Sequence, residues 1–221
     1  MRGKVWLIGA AGDPELLTLK AVRAMAPQAD VVLIDDLVNP GAGALPFSAG
    51  DFRRQTRRLP LYTATSLIHR LMLRYARQGR RVARLKGGDP SSSAVAAEEP
   101  SWLTARGIDC ELVNGITAGL AAATQCGISV TLRGVSRGVT LVTAHTQDDS
   151  PLNWRGLAEG GTTLVVYMGV AKLAEIRDGL LNGGMASCTP VAMIENASSP
   201  TQREYRSQFR ARCWQTPSAS P

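Results

Sequence analysis

The feature that most limits the possible folds is a short apolar run, Ala29-Asp30-Val31-Val32-Leu33-Ile34-Asp35, in which apolar residues do not alternate with polar ones. A strand with one wet face alternates. A strand apolar on both faces belongs inside a parallel sheet covered by helices on each side. Lys4-Val5-Trp6-Leu7-Ile8-Gly9 has the same character and stops at a glycine. Between the two runs, Leu16, Leu17, Leu19, Val22, Met25 and Ala26 recur at helical spacing. Asp13 is placed to cap a helix that begins at Pro14, carries Glu15 in its first turn and runs up to Pro27. Strand, helix and strand in this order predict α/β architecture.

The alternation continues along the chain. Residues 39–60 hold a turn at Asn39-Pro40-Gly41-Ala42-Gly43 and otherwise lack periodicity, so they read as loop. A helix is expected from Ala64 to Gln78, with Leu67, Ile68, Leu71, Met72 and Tyr75 on one face, and a strand follows over Gly79–Leu85. Glu98–Arg106 and Leu173–Leu181 read as helices; Ile108–Val113, Val139–Thr143, Thr163–Met168 and Thr189–Asn196 read as strands. The pattern decays after Tyr205, and Pro217-Ser218-Ala219-Ser220-Pro221 has the composition of a disordered tail. A hinge near Val113-Asn114-Gly115 divides the chain into an N-terminal α/β domain, residues 1–113, and a C-terminal α/β domain, residues 114–221. The chain's 221 residues suffice for two such cores.

Composition narrows the function. No apolar run approaches the ~20 residues needed to span a bilayer, and Met1-Arg2-Gly3-Lys4 leads straight into a strand without a signal-peptide segment. A cytoplasmic protein without membrane partners is expected. Cys110, Cys126, Cys188 and Cys213 are scattered with no Cys-x-x-Cys, and His69 and His145 lie far from any such pair, which argues against a metal site. The net charge of +7 favours an anionic partner: nucleic acid, a membrane surface or a polyacidic small molecule. Much of the excess lies at Arg53, Arg54, Arg57, Arg58, Arg70, Arg74, Arg77, Arg80, Arg81 and Arg84, which a solvated helix face would explain equally well. No nucleic-acid motif accompanies these arginines and aromatic residues are only 5%, so a nucleic-acid partner is not expected.

The stretch with the most chemistry is Arg84-Leu85-Lys86-Gly87-Gly88-Asp89-Pro90, at the end of a predicted strand. Glycine lets backbone approach a ligand, Pro90 stiffens the turn, and small molecules gather at the C-terminal ends of strands in α/β proteins. An ordinary strand-to-helix turn has the same composition, so these residues alone leave both readings open. A second small-residue loop, Asn114-Gly115-Ile116-Thr117-Ala118-Gly119, passes into a helix in the same way.

Several stretches in order resemble the tetrapyrrole methylase family and, within it, the uroporphyrinogen-III C-methyltransferases. They are Gly3–Gly9 with Gly12-Asp13-Pro14-Glu15-Leu16-Leu17-Thr18-Leu19-Lys20-Ala21, Ala29-Asp30-Val31-Val32 before Asp35-x-Leu37-Val38, and Arg84–Pro90. Gly115-Ile116-Thr117-Ala118, Gly127-Ile128, Thr131, Arg133-Gly134, Val142-Thr143-Ala144-His145, Tyr167-Met168-Gly169, Pro190-Val191-Ala192 and Glu195-Asn196 complete the series. The resemblance implies a two-domain fold, each domain a sheet flanked by helices, with S-adenosylmethionine in the cleft between them, and a homodimer. It implies methyl transfer to C2 and C7 of uroporphyrinogen III, an anionic tetrapyrrole, giving precorrin-2 for sirohaem or cobalamin.

Carried over by position, the cofactor contacts are Gly87, Gly88, Asp89, Ser92, Thr117, Ala118, Met168 and Ala197, with Ser92 and Ala197 departing from the usual side chains. Asp89 supplies an acid for a sulfonium ligand. Met168 reads either as an adaptable wall of the adenosine pocket or as a plain core methionine. Asp35 matches the acid that takes the proton lost from the methylated carbon, or else is a cap. Arg133 is placed to pair with a substrate carboxylate, or is a surface arginine. The departures fall on the substrate side. Gly9-Ala10-Ala11-Gly12-Asp13-Pro14 is one residue short of the family's first loop, Val95 stands where the family has an arginine, and Thr56 falls near the place of its lysine. The final apolar strand of the family is also missing. A homologue that binds S-adenosylmethionine without the usual catalysis is the alternative.

Overall fold

The computed structural model describes residues 3–26, 28–35, 38–39, 55–59, 65–92, 94–144 and 152–209, with backbone only at 55–59 and 94–97. Arg53, Arg54, His145, Cys213, the side chain of Val95 and the chain after residue 209, where a final strand was expected to be missing, lie outside the described residues. The backbone divides into two compact units inside one helix: unit 1 is Met1–Ala121 with Ser198–Thr201, and unit 2 is Ala122–Ala197 with Gln202–Pro221.

Unit 1 is built on strands β1 (Lys4–Ala10), β2 (Val31–Asp35), β3 (Gln55–Leu59), β4 (Val82–Gly87) and β5 (Asp109–Val113). They form one sheet in the order β3-β2-β4-β1-β5, and every neighbouring pair is parallel. Successive side chains of a strand face opposite ways. One set, Trp6, Ile8, Val32, Ile34, Ala83 and Leu85, packs with Ala21, Ala24 and Met25 of α1 (Leu19–Met25). The other set, Val5, Leu7, Val31, Leu33 and Val82, packs with Ile68, Leu71, Met72 and Tyr75 of α2 (Thr65–Arg77) and Leu103 of α3 (Ala94–Thr104). The two-sided apolar character of the central runs thus follows from helices on both faces.

Three elements differ from the sequence expectation. The helix expected from Pro14 is broken. Asp13 caps only a short 3-10 turn at Pro14–Leu16, and Thr18, in extended conformation, starts α1 by accepting from the Ala21 N–H at 3.1 Å. A second capping side chain, five residues after Asp13, ends one turn and begins another. β3 falls inside the expected loop: Gln55-Thr56-Arg57-Arg58-Leu59 is polar, which an edge strand tolerates. α3 begins before Glu98, because its alanine-rich start favours helix strongly enough to run through Pro100 at the loss of one backbone bond.

Unit 2 holds α4 from its midpoint (Ala118–Gln125 overall), the parallel pair β6 (Val139–Thr143) and β7 (Thr163–Tyr167), and helices α5 (Trp154–Glu159) and α6 (Leu173–Asn182). The antiparallel pair β8 (Pro190–Glu195) and β9 (Arg203–Gln208) completes it. Its core gathers Ala144, Ile176, Leu180 and Phe209, with Trp154 and Leu157 against them. No helix among the described residues is long and apolar enough to cross a membrane.

The β5 edge of the sheet is covered by charge. Glu111 takes Lys4 at 2.7 Å and Lys20 at 2.7 Å, and accepts from the Trp6 indole at 3.2 Å. The hydrogen bonds from Lys20 and Lys4 pull its carboxyl down to about 2. A carboxylate whose folded value is depressed stabilises the fold above its unfolded value and loses that contribution as pH falls through the folded one. The side chain is a third exposed, so its worth is modest. Glu111→Gln is expected to cost roughly 0.5–1 kcal/mol at neutral pH. In denaturant melts, the gap to the unmodified chain should close between about pH 4.5 and pH 2.

Candidate functional site

The loops that leave the C-terminal ends of β4 and β5 meet the end of the neighbouring strand β1 backbone to backbone, at Gly88, Gly115 and Gly9. A Cβ on Gly9 would stand 2.5 Å from the Gly88 carbonyl oxygen and 2.6 Å from the Gly115 Cα. A Cβ on Gly115 would stand 2.6 Å from the Gly9 Cα and closer still to the Gly88 oxygen. No side chain fits at either place. Gly88 has φ 76°, the left-handed region glycine adopts freely, and its N–H donates to the Ala10 carbonyl at 2.8 Å. A Cβ on Gly88 would be in van der Waals contact with the head of α4, 3.5 Å from Ala118 N and 3.6 Å from Thr117 Cα.

Asp89 holds this junction together. Its Oδ1 accepts from the Ser91 N–H at 2.8 Å and from the Ser91 hydroxyl, and its Oδ2 accepts from the Gly115 N–H at 2.9 Å. One buried carboxylate therefore ties the loop after β4 to the loop after β5. Burial alone pushes the Asp89 carboxyl up, but the hydrogen bonds from Ser91, Gly115 and Asn114 outweigh it and hold the group below the usual carboxylate range. A second tie runs alongside: the Ser92 hydroxyl donates to the Asp89 carbonyl at 2.9 Å and lies 3.0 Å from the Thr117 Oγ1. Gly87, Gly88, Asp89, Ser92, Thr117 and Ala118 are thus gathered at one end of the unit 1 sheet.

β4 also carries two buried cations on the face shared with Val82. Arg84 is 1% exposed; its Nη2 donates to Asp35 Oδ1 at 3.0 Å and its Nη1 to the Leu85 carbonyl at 3.1 Å. Asp35 closes β2, the strand next to β4, and its Oδ2 accepts no hydrogen bond among the described residues. Lys86 lies 3.5 Å from Glu99 of α3, and both are buried. As members of a sequence motif, Arg84 and Lys86 carry no local sign of these pairings. Their partners stand 49 and 13 residues away; the parallel pairing of β2 with β4 brings Asp35 to Arg84, and the packing of α3 on the sheet brings Glu99 to Lys86.

In unit 2, Met168 follows β7 with φ 55° and is 65% exposed, so it is no core methionine. Ala197 lies between Asn196 at φ 51° and Ser198 at φ 62°. Left-handed backbone costs a non-glycine residue about 1–2 kcal/mol and concentrates at functional places. These three are the only described non-glycine residues with positive φ. Arg133 sits in an exposed turn beside Gly134 and forms no ion pair among the described residues.

The model of the family Tetrapyrrole (Corrin/Porphyrin) Methylases matches residues 4–211. The chain belongs to that family. It is 65% identical over 210 residues to a uroporphyrinogen-III C-methyltransferase of Pseudomonas aeruginosa, covering 95% of this chain and 85% of that one. It is 42% identical to a sirohaem synthase of Chromobacterium violaceum, of which it spans 43%. Among solved structures, uroporphyrin-III C-methyltransferase from Thermus thermophilus complexed with S-adenyl homocysteine matches with a TM-score of 0.79 and 35% identity, covering 94% of this chain and 89% of that one. A cobalt precorrin-4 methyltransferase matches with a TM-score of 0.82 and 26% identity, covering 93% of this chain and 85% of that one. The expected α/β methylase fold is therefore the observed one.

The glycine junction makes a direct prediction. Gly115→Ala should lose about 3 kcal/mol of stability or fail to fold, at the upper end of overpacking costs. Gly107→Ala, where φ is 74° but nothing lies within 4 Å of the new Cβ, should lose only about 1–2 kcal/mol. Equal losses in paired urea melts would contradict the contact.

Proposed function

We propose that this chain is an S-adenosylmethionine-dependent C-methyltransferase that methylates uroporphyrinogen III at C2 and C7 to give precorrin-2, a step towards sirohaem or cobalamin. The observation that carries the reading is the braced junction of Gly9, Gly88 and Gly115, in a chain 65% identical to a uroporphyrinogen-III C-methyltransferase. The residues present fit the cofactor: bare glycine backbone and the small side chains Ser92, Thr117 and Ala118 converge where the strands end. When bound, S-adenosylmethionine supplies an electrophilic methyl group on a sulfonium.

The chain's own residues do the rest. Gly87, Gly88, Asp89, Ser92, Thr117 and Ala118 form the cofactor cradle of unit 1, and Met168 and Ala197 are the contacts from unit 2. The exposure of Met168 and the left-handed residues on either side of Ala197 support that assignment. Arg84 fixes the Asp35 carboxylate through Oδ1, which leaves Oδ2 to accept the proton that the methylated carbon loses. Arg133, exposed and without an ion-pair partner among the described residues, engages a substrate carboxylate. The +7 charge suits a polyanionic substrate, with neither nucleic acid nor membrane as partner. A cytoplasmic homodimer is part of the same proposal.

The test is an anaerobic assay with enzymatically generated uroporphyrinogen III and methyl-labelled S-adenosylmethionine. Label in a dimethylated product is expected; cofactor binding without transfer would overturn the assignment of the acceptor. In the same assay Asp35→Asn should lower kcat by about 10²–10⁴-fold, the range for removing a positioned base. Its affinity for S-adenosylhomocysteine should stay within a few-fold. A variant as active as the unmodified chain would remove Asp35 from the proton step.

A further inference from the structure

Lys86 and Glu99 form a buried ion pair to which the reading above gives no task. Lys86 immediately precedes Gly87-Gly88-Asp89 and is 5% exposed; Glu99, on α3, is wholly buried. Their one contact is long, 3.5 Å from Nζ to Oε1, and the second carboxylate oxygen of Glu99 has no hydrogen-bond partner among the described residues. Taking two charges out of water costs more than so sparse a contact returns. The pair is therefore poorly suited to holding the fold together.

It is well placed to hold the loop. The chain leaves β4 one residue after Lys86, and Glu99 lies in the second turn of α3, which follows the loop, so the pair ties the strand before the loop to the helix after it. The strand end is fixed already by the sheet, where Lys86 is in register with Gly9. The helix end has Glu99 facing the sheet, near enough to β5 that the Cys110 thiol is pushed up to about 12, first by burial and then by the Glu99 charge. In the loop between them lie Gly88 and the Asp89 carboxylate, whose contacts with Ala10 and Gly115 require one loop shape.

We propose that the Lys86–Glu99 pair is a positioning element: it ties α3 to the end of β4 and so holds residues 87–92 in the shape that binds S-adenosylmethionine, an inference that rests on the cofactor reading above. Its loss acts on cofactor affinity and loop order before it acts on the fold.

The experiment compares the unmodified chain with Glu99→Gln, with the apolar pair Lys86→Met/Glu99→Leu and with the reversed pair Lys86→Glu/Glu99→Lys. S-adenosylhomocysteine binding is followed by calorimetry, melting temperature by circular dichroism, and amide exchange at residues 87–92 by mass spectrometry. The apolar pair is expected to melt within a few degrees of the unmodified chain, to bind at least about tenfold more weakly and to exchange faster at 87–92. The reversed pair, which restores the tether, should recover affinity relative to Glu99→Gln. Unchanged affinity and exchange in both the apolar pair and Glu99→Gln would overturn the proposal, as would affinity falling only in step with melting temperature. If the apolar pair does not fold, Glu99→Gln and the reversed pair decide alone: weakening in the first without recovery in the second counts against the tether. No binding by the unmodified chain would sink the cofactor reading itself, and this inference with it.

Discussion

The Asp89 carboxylate is the contact on which the candidate site depends. It is buried, both oxygens accept hydrogen bonds from the chain, and its partners lie on two loops that leave different strands. A buried carboxylate is costly unless each oxygen is satisfied, and here the satisfaction itself joins the loops. The glycines make this possible. With any side chain at Gly9 or Gly115 the loops would stand apart and the Gly115 N–H would no longer reach Asp89. The junction is therefore backbone held in shape by one acid.

Beneath the junction the sheet carries charge in its interior. Arg84 and Lys86 occupy positions where β4 would otherwise bury apolar residues, and each meets a carboxylate from another element. Such pairs seldom add net stability, but they orient. Arg84 orients Asp35 at the end of β2, and Lys86 engages α3. The polar interior lies directly behind the loops that gather the site residues. Towards the opposite end of the same strands, Val5, Val31 and Val82 pack against α2 in an apolar core. The sheet is thus conventional at one end and chemically specialised at the other.

Much of unit 1 was legible in the sequence because its strands are apolar on both faces and its helix α2 is strongly periodic. What was not legible has physical causes. β3 is a polar edge strand whose pairing with β2 leaves no local pattern. The helix expected from Pro14 is interrupted at Thr18, a residue that caps α1 instead of continuing the turn before it. The loop at Gly87-Gly88-Asp89-Pro90 could be picked out as special from its residue types, but an acid beside two glycines suggests a ligand contact as readily as a brace. Only the placement of the Gly115 N–H, across neighbouring strands, distinguishes them. Gly9 and Gly115 likewise carry no sequence sign that they touch. In unit 2, the type of Met168 fits a pocket wall and a core residue alike, and its exposure and left-handed backbone depend on the turn after β7.

The central claim is that Asp89 shapes the cradle rather than facing the cofactor's positive sulfur. The measurement that tests it most directly is the affinity of Asp89→Asn for S-adenosylmethionine, a cation at sulfur, beside its affinity for S-adenosylhomocysteine, a neutral thioether. Asparagine keeps the shape but replaces one acceptor oxygen with a donor. A brace predicts that both affinities fall by the same factor, about tenfold or more. A fall confined to S-adenosylmethionine would place the carboxylate against the sulfonium and contradict the account.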